Sequence, residues 1–315
     1  MGGTRREFIL SVVIGLGLVC TTGLAAGMSG PFGKGVVKLV STEWLQSHLQ
    51  EPNLFIVDVQ PNVHDYFAQH IPRAVYFNEG LLRGSDRGMP TPYVPSQVVE
   101  VVCRRIGLSN NVPIVVYTAK GKFSGAGEGL GQTMVAYSLA RFGQNNVYVL
   151  NGGLDKWTAE NRPVTQEFPK IKEGMFKANV RQDYFVNMEQ VKKLKEQSNV
   201  VLLDARPAQF YQGQGPWIKP GHIPGAVSLP WRSLMAEDNP TLLRPESEIA
   251  EILKEVNITP DKTIICSCGT GREATNEFLL FKSYLGYPNV RLYEGSFTEW
   301  SAYPDNPTVT GPNPR

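Results

Sequence analysis

The sequence Thr263-Ile264-Ile265-Cys266-Ser267-Cys268-Gly269-Thr270-Gly271-Arg272-Glu273-Ala274 is where the fold can be read. Its β-branched start, Thr263 to Ile265, predicts a buried strand. The cysteines and glycines that follow predict a tight loop. From about Arg272 to Leu285 the pattern predicts a helix, closed by Gly286 just past its last turn. This order places Cys268 where backbone N–H groups converge and the helix dipole favours negative charge. A thiolate there is expected to have a lowered pKa and to be a good nucleophile. The alternative is a buried, inert cysteine in a strand-to-helix turn.

The surroundings bear on that choice. Cys268, Gly271 and Ala274 form the pattern Cys-x-x-Gly-x-x-Ala. Upstream lie Leu202-Leu203-Asp204-Ala205-Arg206 and Gly221-His222-Ile223-Pro224-Gly225-Ala226-Val227. Downstream lies Tyr293-Glu294-Gly295-Ser296-Phe297-Thr298-Glu299-Trp300. In this order the four motifs resemble a rhodanese-family sulfurtransferase, from about Ser41 to Pro307. The resemblance implies an α/β fold of two tandem domains, each a central parallel β-sheet flanked by helices. It also implies an active loop that starts at the nucleophilic cysteine.

The chain repeats itself. Phe55-Ile56-Val57-Asp58-Val59 matches Val201-Leu202-Leu203-Asp204-Ala205, and His70 to Val75 matches His222 to Val227. Asn151-Gly152-Gly153-Leu154-Asp155-Lys156-Trp157 matches Glu294 to Trp300, with an apparent shift of about one residue at its edge. These motifs read as scaffold, with the Asp and His side chains fixing loops. The repeat departs at one position: Val112 to Thr118 aligns with Lys262 to Cys268, which sets Thr118 opposite Cys268. A hydroxyl is essentially un-ionised and cannot carry sulfur as a thiolate does. Thr118 to Trp157 spans 39 positions against 32 for Cys268 to Trp300, so the first loop carries about seven extra residues. Its glycines, Gly121, Gly125, Gly127, Gly129 and Gly131, fit neither a P-loop nor a dinucleotide fingerprint. It reads as a degenerate loop in a non-catalytic repeat, or as an anion- or partner-binding loop ahead of a helix Gln132 to Phe142. The resemblance favours the first, since tandem rhodaneses commonly keep the cysteine only in the second repeat.

The expected domains are a non-catalytic repeat at 36–165, a linker at 166–182 and a catalytic repeat at 183–311. Residues 1–34 stand apart. Thr4-Arg5-Arg6-Glu7-Phe8-Ile9-Leu10 resembles a twin-arginine export signal. An apolar run follows from Phe8 to Cys20, and Gly23, Ala25 and Ala26 mark a cleavage region without a clean A-x-A. If it is never cut, residues 8–33 carry no charge and are long enough to span a bilayer. Lipidation at Cys20 is a third reading, although Gly17-Leu18-Val19 departs from the usual lipobox. Each predicts a body outside the cytoplasm: exported and periplasmic, or held at the inner membrane.

Without the leader, 29 basic residues face 28 acidic ones, which argues against a nucleic-acid-binding body. The four cysteines, Cys20, Cys103, Cys266 and Cys268, do not make a disulfide framework. Cys103 lies in the helical run Ser96 to Ile106 and reads as core. The four histidines, His48, His64, His70 and His222, show no metal-ligand spacing with cysteine, and no cofactor is called for.

The expected chemistry is a double displacement. Cys268 takes a sulfane sulfur from thiosulfate or a polysulfide as a persulfide, and cyanide or a thiol then accepts it. Backbone N–H groups from Gly269 to Ala274 would stabilise the persulfide's charge as an oxyanion hole does. The small residues Gly269, Thr270 and Gly271 let that backbone come close. Arg206 and Arg272 are the best cations for an anionic donor, with Lys219 a further candidate. The resemblance places an arginine beside the cysteine at the Arg206 position; a salt bridge at the sheet edge is its structural alternative. Glu273 argues the other way, because a carboxylate there raises the Cys268 pKa and repels a dianion. Within the family a cation-rich loop goes with thiosulfate and a neutral one with mercaptopyruvate. Gly-Thr-Gly-Arg-Glu is neither, and thiosulfate is taken first. Cys266 is either a resolving thiol for Cys268 or an inert strand residue.

A phosphatase or arsenate reductase would need an arginine six residues after the nucleophile, where Ala274 stands. The remaining rival is a non-enzymatic exported binding or sulfur-carrier module on the same fold.

Overall fold

The structure, a computed structural model, describes residues 30–85, 92–125 and 127–315. The twin-arginine motif, the apolar run and the cleavage region of the leader lie outside them. Among the described residues no helix is long and apolar enough to cross a membrane.

Two five-stranded sheets form. The first holds Val37–Val40 (β1), Phe55–Asp58 (β2), Val75–Tyr76 (β3), Ile114–Tyr117 (β4) and Val147–Leu150 (β5), in the order β1-β5-β4-β2-β3. The second holds Phe185–Val186 (β6), Val200–Asp204 (β7), Val227–Ser228 (β8), Thr263–Ser267 (β9) and Val290–Tyr293 (β10), in the matching order β6-β10-β9-β7-β8. Every pairing is parallel, so the connections cross over and their helices cover both faces. Central strands in such a sheet are apolar on both sides. All four residues of β4 are buried, as are Ile264 to Ser267 of β9.

Local signals set the helices. Ser41 caps Thr42–His48 by accepting from Trp44 N–H at 3.1 Å. Asn187 and Gln190 form a reciprocal capping box on Met188–Leu194. Pro95 and Pro245 precede Ser96–Arg105 and Glu246–Glu255 at equivalent places, and Cys103 is buried in the core. His70 stacks on Tyr66 and bonds the carbonyls of Tyr66 and Glu167. His222 stacks on Tyr211 and bonds its carbonyl. Both histidines fix loops.

The two repeats share equivalent bonds around this loop. Phe297 N–H donates to Cys268 O at 2.9 Å, and Leu154 N–H donates to Thr118 O at 2.9 Å. Trp300 and Trp157 each donate an indole N–H, to Pro307 O and Pro163 O. The apparent one-residue shift between the motifs is therefore absent, and Thr118 stands at the Cys268 position. The extra residues of the first repeat lie between Thr118 and the helix Leu130–Arg141. That helix begins two residues before the expected Gln132, because Gly129 at φ +82° turns the chain directly into it.

The helix after Cys268 also departs from expectation. It is α-helical only over Ala274–Phe278 and continues as a wide π turn over Leu279–Leu285, ending on Gly286 at φ +75°. Ser283 O in the wide turn accepts from Lys34 N–H at 2.7 Å and Gly35 N–H at 2.9 Å. Phe32 pairs with Leu39 across an antiparallel bridge. Phe32 and Lys34, inside the segment expected to stand apart, thus belong to the fold. Likewise, the stretch between repeats is a strap on the first one: Gly174, Asn179 and Arg181 donate backbone bonds to Arg104, Phe142 and Arg141.

One apolar core runs through both repeats, from Val37 and Leu39 to Leu203, Ile264 and Phe278. Leu130–Arg141 is buried at every residue, because the second repeat covers the face its own sheet leaves open. Its Tyr137 meets Phe278 edge to face, ring centroids 4.9 Å apart. The helices that follow the Thr118 and Cys268 loops therefore pack against each other across the domain boundary.

Candidate active site around Cys268

Cys268 sits one residue past β9, at the carboxyl end of the sheet's central strand, where parallel α/β sheets place their sites. Its N–H donates to Ser296 Oγ at 3.1 Å, and its carbonyl accepts from Phe297. Gly269 O accepts from Thr298 N–H and Oγ. The start of the loop is thus bonded to the segment after β10. Gly271 N–H points at Cys268 Sγ, 3.0 Å away. Gly271 has φ +81°, and a Cβ there would lie 2.7 Å from Glu294 O. Gly269 has the Trp217 ring against it, 2.6 Å from where a Cβ would be. Both glycines answer to close approach, one to backbone and one to an indole.

The thiol is fully buried. Burial pushes its pKa well above the usual cysteine range, and the Glu273 carboxylate beside it pushes the same way. The N–H groups of Ala274 and Thr270 pull it down, by less. The lowered pKa expected from the loop geometry is therefore not what the free thiol has. The converging amides are present, but desolvation and Glu273 outweigh them. Cys266, two residues earlier on the same face of β9, is buried in the core, and burial with Glu277 behind it raises its thiol too. That environment suits the inert strand residue and not the resolving thiol.

The three cations fall in different places. Arg206 is fully buried and forked onto Asp204, with Nη2 to Oδ2 at 2.5 Å and Nε to Oδ1 at 2.9 Å. Its guanidinium lies 4.1 Å from the Phe297 ring centre and 4.6 Å from that of Trp217, both of which touch the Cys268 loop. Only its Nη1 has no hydrogen-bond partner among the described residues. Arg272 turns out of the loop to the first repeat, with Nε to Glu79 at 2.6 Å and Nη1 to Glu128 at 2.7 Å. Burial disfavours its charge, but these two carboxylates more than offset that and hold it ionised. Its charge is therefore spent on carboxylates and not offered to a dianion. Lys219 is removed from the site altogether: its Nζ binds the carbonyls of Tyr303, Pro304 and Asn306. Three carbonyls near the C-terminus satisfy its three donors.

The first repeat supplies partners that no local motif announced. Arg83 donates to the Thr270 carbonyl inside the active loop. Tyr137 and Arg141 hold the Glu294 carboxylate at 2.8 and 2.6 Å, directly behind Gly271. Thr133 Oγ bonds Thr275 Oγ at 3.0 Å, on the first turn after the loop. These residues are 142 to 187 positions distant in sequence from the groups they serve, and chain spacing carries no signal for such pairs. Trp217 was equally silent.

What the arrangement can do is nucleophilic transfer: a buried sulfur with an amide donor on it. The Rhodanese-like domain family matches this chain at residues 41–160 and 187–303. The chain is 36% identical over 288 residues to a Synechococcus elongatus protein named for thiosulfate sulfurtransferase activity, covering 89% of this chain and 87% of that one. It is 28% identical over 290 residues to the sulfur carrier protein TtuD of Thermus thermophilus, covering 87% and 96%. Among solved structures, SseA from Escherichia coli, of the 3-mercaptopyruvate sulfotransferases, matches with TM-score 0.71 and 29% identity over 82% of this chain and 98% of that one.

Proposed function

The chain belongs to the rhodanese family and is a sulfurtransferase, and from that premise we propose that Cys268 carries the sulfur and Thr118 does not. The observation that supports this is the Gly271 N–H aimed at Cys268 Sγ at 3.0 Å, in a loop whose first-repeat counterpart holds a hydroxyl. In the first half-reaction the Cys268 thiolate attacks the sulfane sulfur of thiosulfate. A sulfur–sulfur bond forms at Cys268, the donor's sulfur–sulfur bond breaks, and sulfite leaves with the electron pair. In the second, cyanide or a thiolate attacks the outer sulfur, and Cys268 leaves as the thiolate. The Thr270, Gly271 and Ala274 amides stabilise the persulfide anion. The buried Nη1 of Arg206, without a hydrogen-bond partner among the described residues, is the cationic donor offered to the departing anion. With Arg272 neutralised, 3-mercaptopyruvate or a persulfide monoanion should rival thiosulfate.

The test is thiosulfate:cyanide transfer by the leaderless protein beside Cys268→Ser, with intact mass after exposure to thiosulfate. Loss of activity in the variant, and a one-sulfur gain in the wild type that cyanide removes, are the expected results. Sulfur gain without turnover would favour the sulfur-carrier reading, the role in TtuD's name. Neither gain nor turnover, repeated with 3-mercaptopyruvate and polysulfide, would defeat the assignment of Cys268.

We also place the protein outside the cytoplasm, on the strength of Arg5-Arg6 and the apolar run after it. Cell fractionation with N-terminal sequencing separates a cleaved periplasmic form from one anchored through residues 8–33. A cytoplasmic, full-length protein would overturn this placement.

A further inference from the structure

Arg83 and Cys268 act on the two ends of one peptide group. The Thr270 carbonyl accepts from Arg83 Nη2, and the N–H on the other side of that same amide, belonging to Gly271, donates to Cys268 Sγ at 3.0 Å. We propose that Arg83, from the repeat that lacks the cysteine, is a positioning residue for Cys268: it holds the Thr270–Gly271 peptide with its N–H on the sulfur.

Two physical effects follow. A peptide at a positive-φ glycine can flip at low cost, and a flip here would turn the Thr270 carbonyl oxygen toward the sulfur. A cation on that oxygen opposes the flip. The same cation withdraws charge from the carbonyl, which strengthens N–H donation at the far end, since hydrogen bonds in series polarise one another. Both favour sulfur in its anionic form, whether thiolate or persulfide.

The neighbouring charges do not serve this peptide. Glu273, within the loop, lies against the thiol and opposes its ionisation. Cys266 lies below in β9, and Glu277, on the following helix, faces Cys266. Asp204 and Arg206 are bound to each other. From the first repeat, Glu79 and Glu128 hold Arg272, and Arg141 holds Glu294. Arg83 is the cation bonded to the Thr270 carbonyl.

The inference rests on Cys268 being the nucleophile, but its test needs no sulfur donor. Full-length protein is alkylated with iodoacetamide over a series of pH values, and modification of Cys268 is followed by peptide mass spectrometry. Wild type stands beside Arg83→Met and Arg83→Lys. Only the thiolate reacts. Arg83→Met should react about tenfold more slowly at each pH below the midpoint, an upward shift of about one pKa unit, and converge with wild type at high pH. Arg83→Lys should recover most of the difference. Equal rates for wild type and Arg83→Met would overturn the proposal. So would a deficit that persists undiminished at the highest pH, since Arg83 would then govern access instead. If Arg83→Met does not melt cooperatively, Arg83→Gln is read by the same two criteria. Because alkylation is scored apart from turnover, failure here and failure of the sulfur-transfer assignment are distinguishable.

Discussion

At the scale of single residues, the site is a contest over the charge of one sulfur. Cys268 is buried, Glu273 lies beside it, and amides from its own loop point at it. Burial and Glu273 dominate, so removing the carboxylate should lower the Cys268 pKa. Glu273→Gln is expected to move the acid limb of the kcat/KM profile down by about one pH unit, with little change on the plateau. Activity lost at every pH would instead make Glu273 the base that takes the thiol proton. A second buried acid has the opposite neighbourhood from its sibling. Asp58 matches Asp204, but Gln60 stands where Arg206 would. Without a cation, burial pushes Asp58 up to about 7, although Tyr117 and Gln60 donate to it. The unfolded chain titrates this carboxyl near about 3.9. Its raised folded pKa means stabilisation that is full below about pH 4 and lost as pH rises through about 7. Asp58→Asn should flatten that slope, worth on the order of 3 kcal/mol, in urea unfolding compared at about pH 4.5 and pH 7.5. Unaltered slopes would show Asp58 ionised in the fold.

At the scale of elements, the active loop is a short bridge between β9 and Ala274–Phe278, and its geometry depends on Gly271. A side chain there meets both a left-handed φ of +81° and Glu294 O at 2.7 Å. Gly271→Ala should cost about 1–3 kcal/mol and pull the N–H off the sulfur. Thermal melts should register the first effect, and the second should lower kcat more than it raises KM. A melt and a kcat equal to wild type would mean that the loop tolerates another conformation. The first repeat shows what the loop becomes without that constraint. Thr118 donates to Val59 O at 2.7 Å, and an inserted glycine-rich segment leads on to Leu130–Arg141. The strand at Thr263 to Ile265, the internal repeat and the Thr118–Cys268 equivalence were legible in the sequence. Each depends on neighbours within a few residues, or on a comparison of the chain with itself. The π turn at Leu279–Leu285 was not legible, because its Ser283 carbonyl bonds Lys34 and Gly35 from the far end of the chain.

At the scale of the molecule, two sequence repeats make one structural unit. The apolar core is continuous across them, and Leu130–Arg141 is buried on the face that a lone first repeat would expose to water. The polar contacts across the boundary are short and partly buried: Arg141 with Glu294, and Arg272 with Glu79 and Glu128. Removing one partner of such a pair strands the other charge. The described fold should therefore unfold in one calorimetric transition, with van't Hoff and calorimetric enthalpies in agreement. Two separable transitions would mean that the repeats stand alone. By the same argument, residues 183–315 expressed without the first repeat should lose both solubility and thiolate reactivity at Cys268.

The sequence by itself determined the internal repeat, the strand and tight loop that carry Cys268, and the absence of a cysteine at the matching Thr118; the parallel α/β fold was what the family resemblance implied. The first three follow from periodicity and self-alignment, which are local or internal to the chain. Only the tertiary structure decided which cations serve the site. From the sequence, Arg272 and Arg206 were the best cations, with Lys219 a further candidate. Folding gives the first to Glu79 and Glu128, the second to Asp204, and the third to carbonyls near the C-terminus. Arg83 looked unremarked and reaches the loop. A charge acts through what lies within a few ångströms of it. For Arg272 and Arg83 those neighbours come from the other repeat, more than a hundred residues away in sequence.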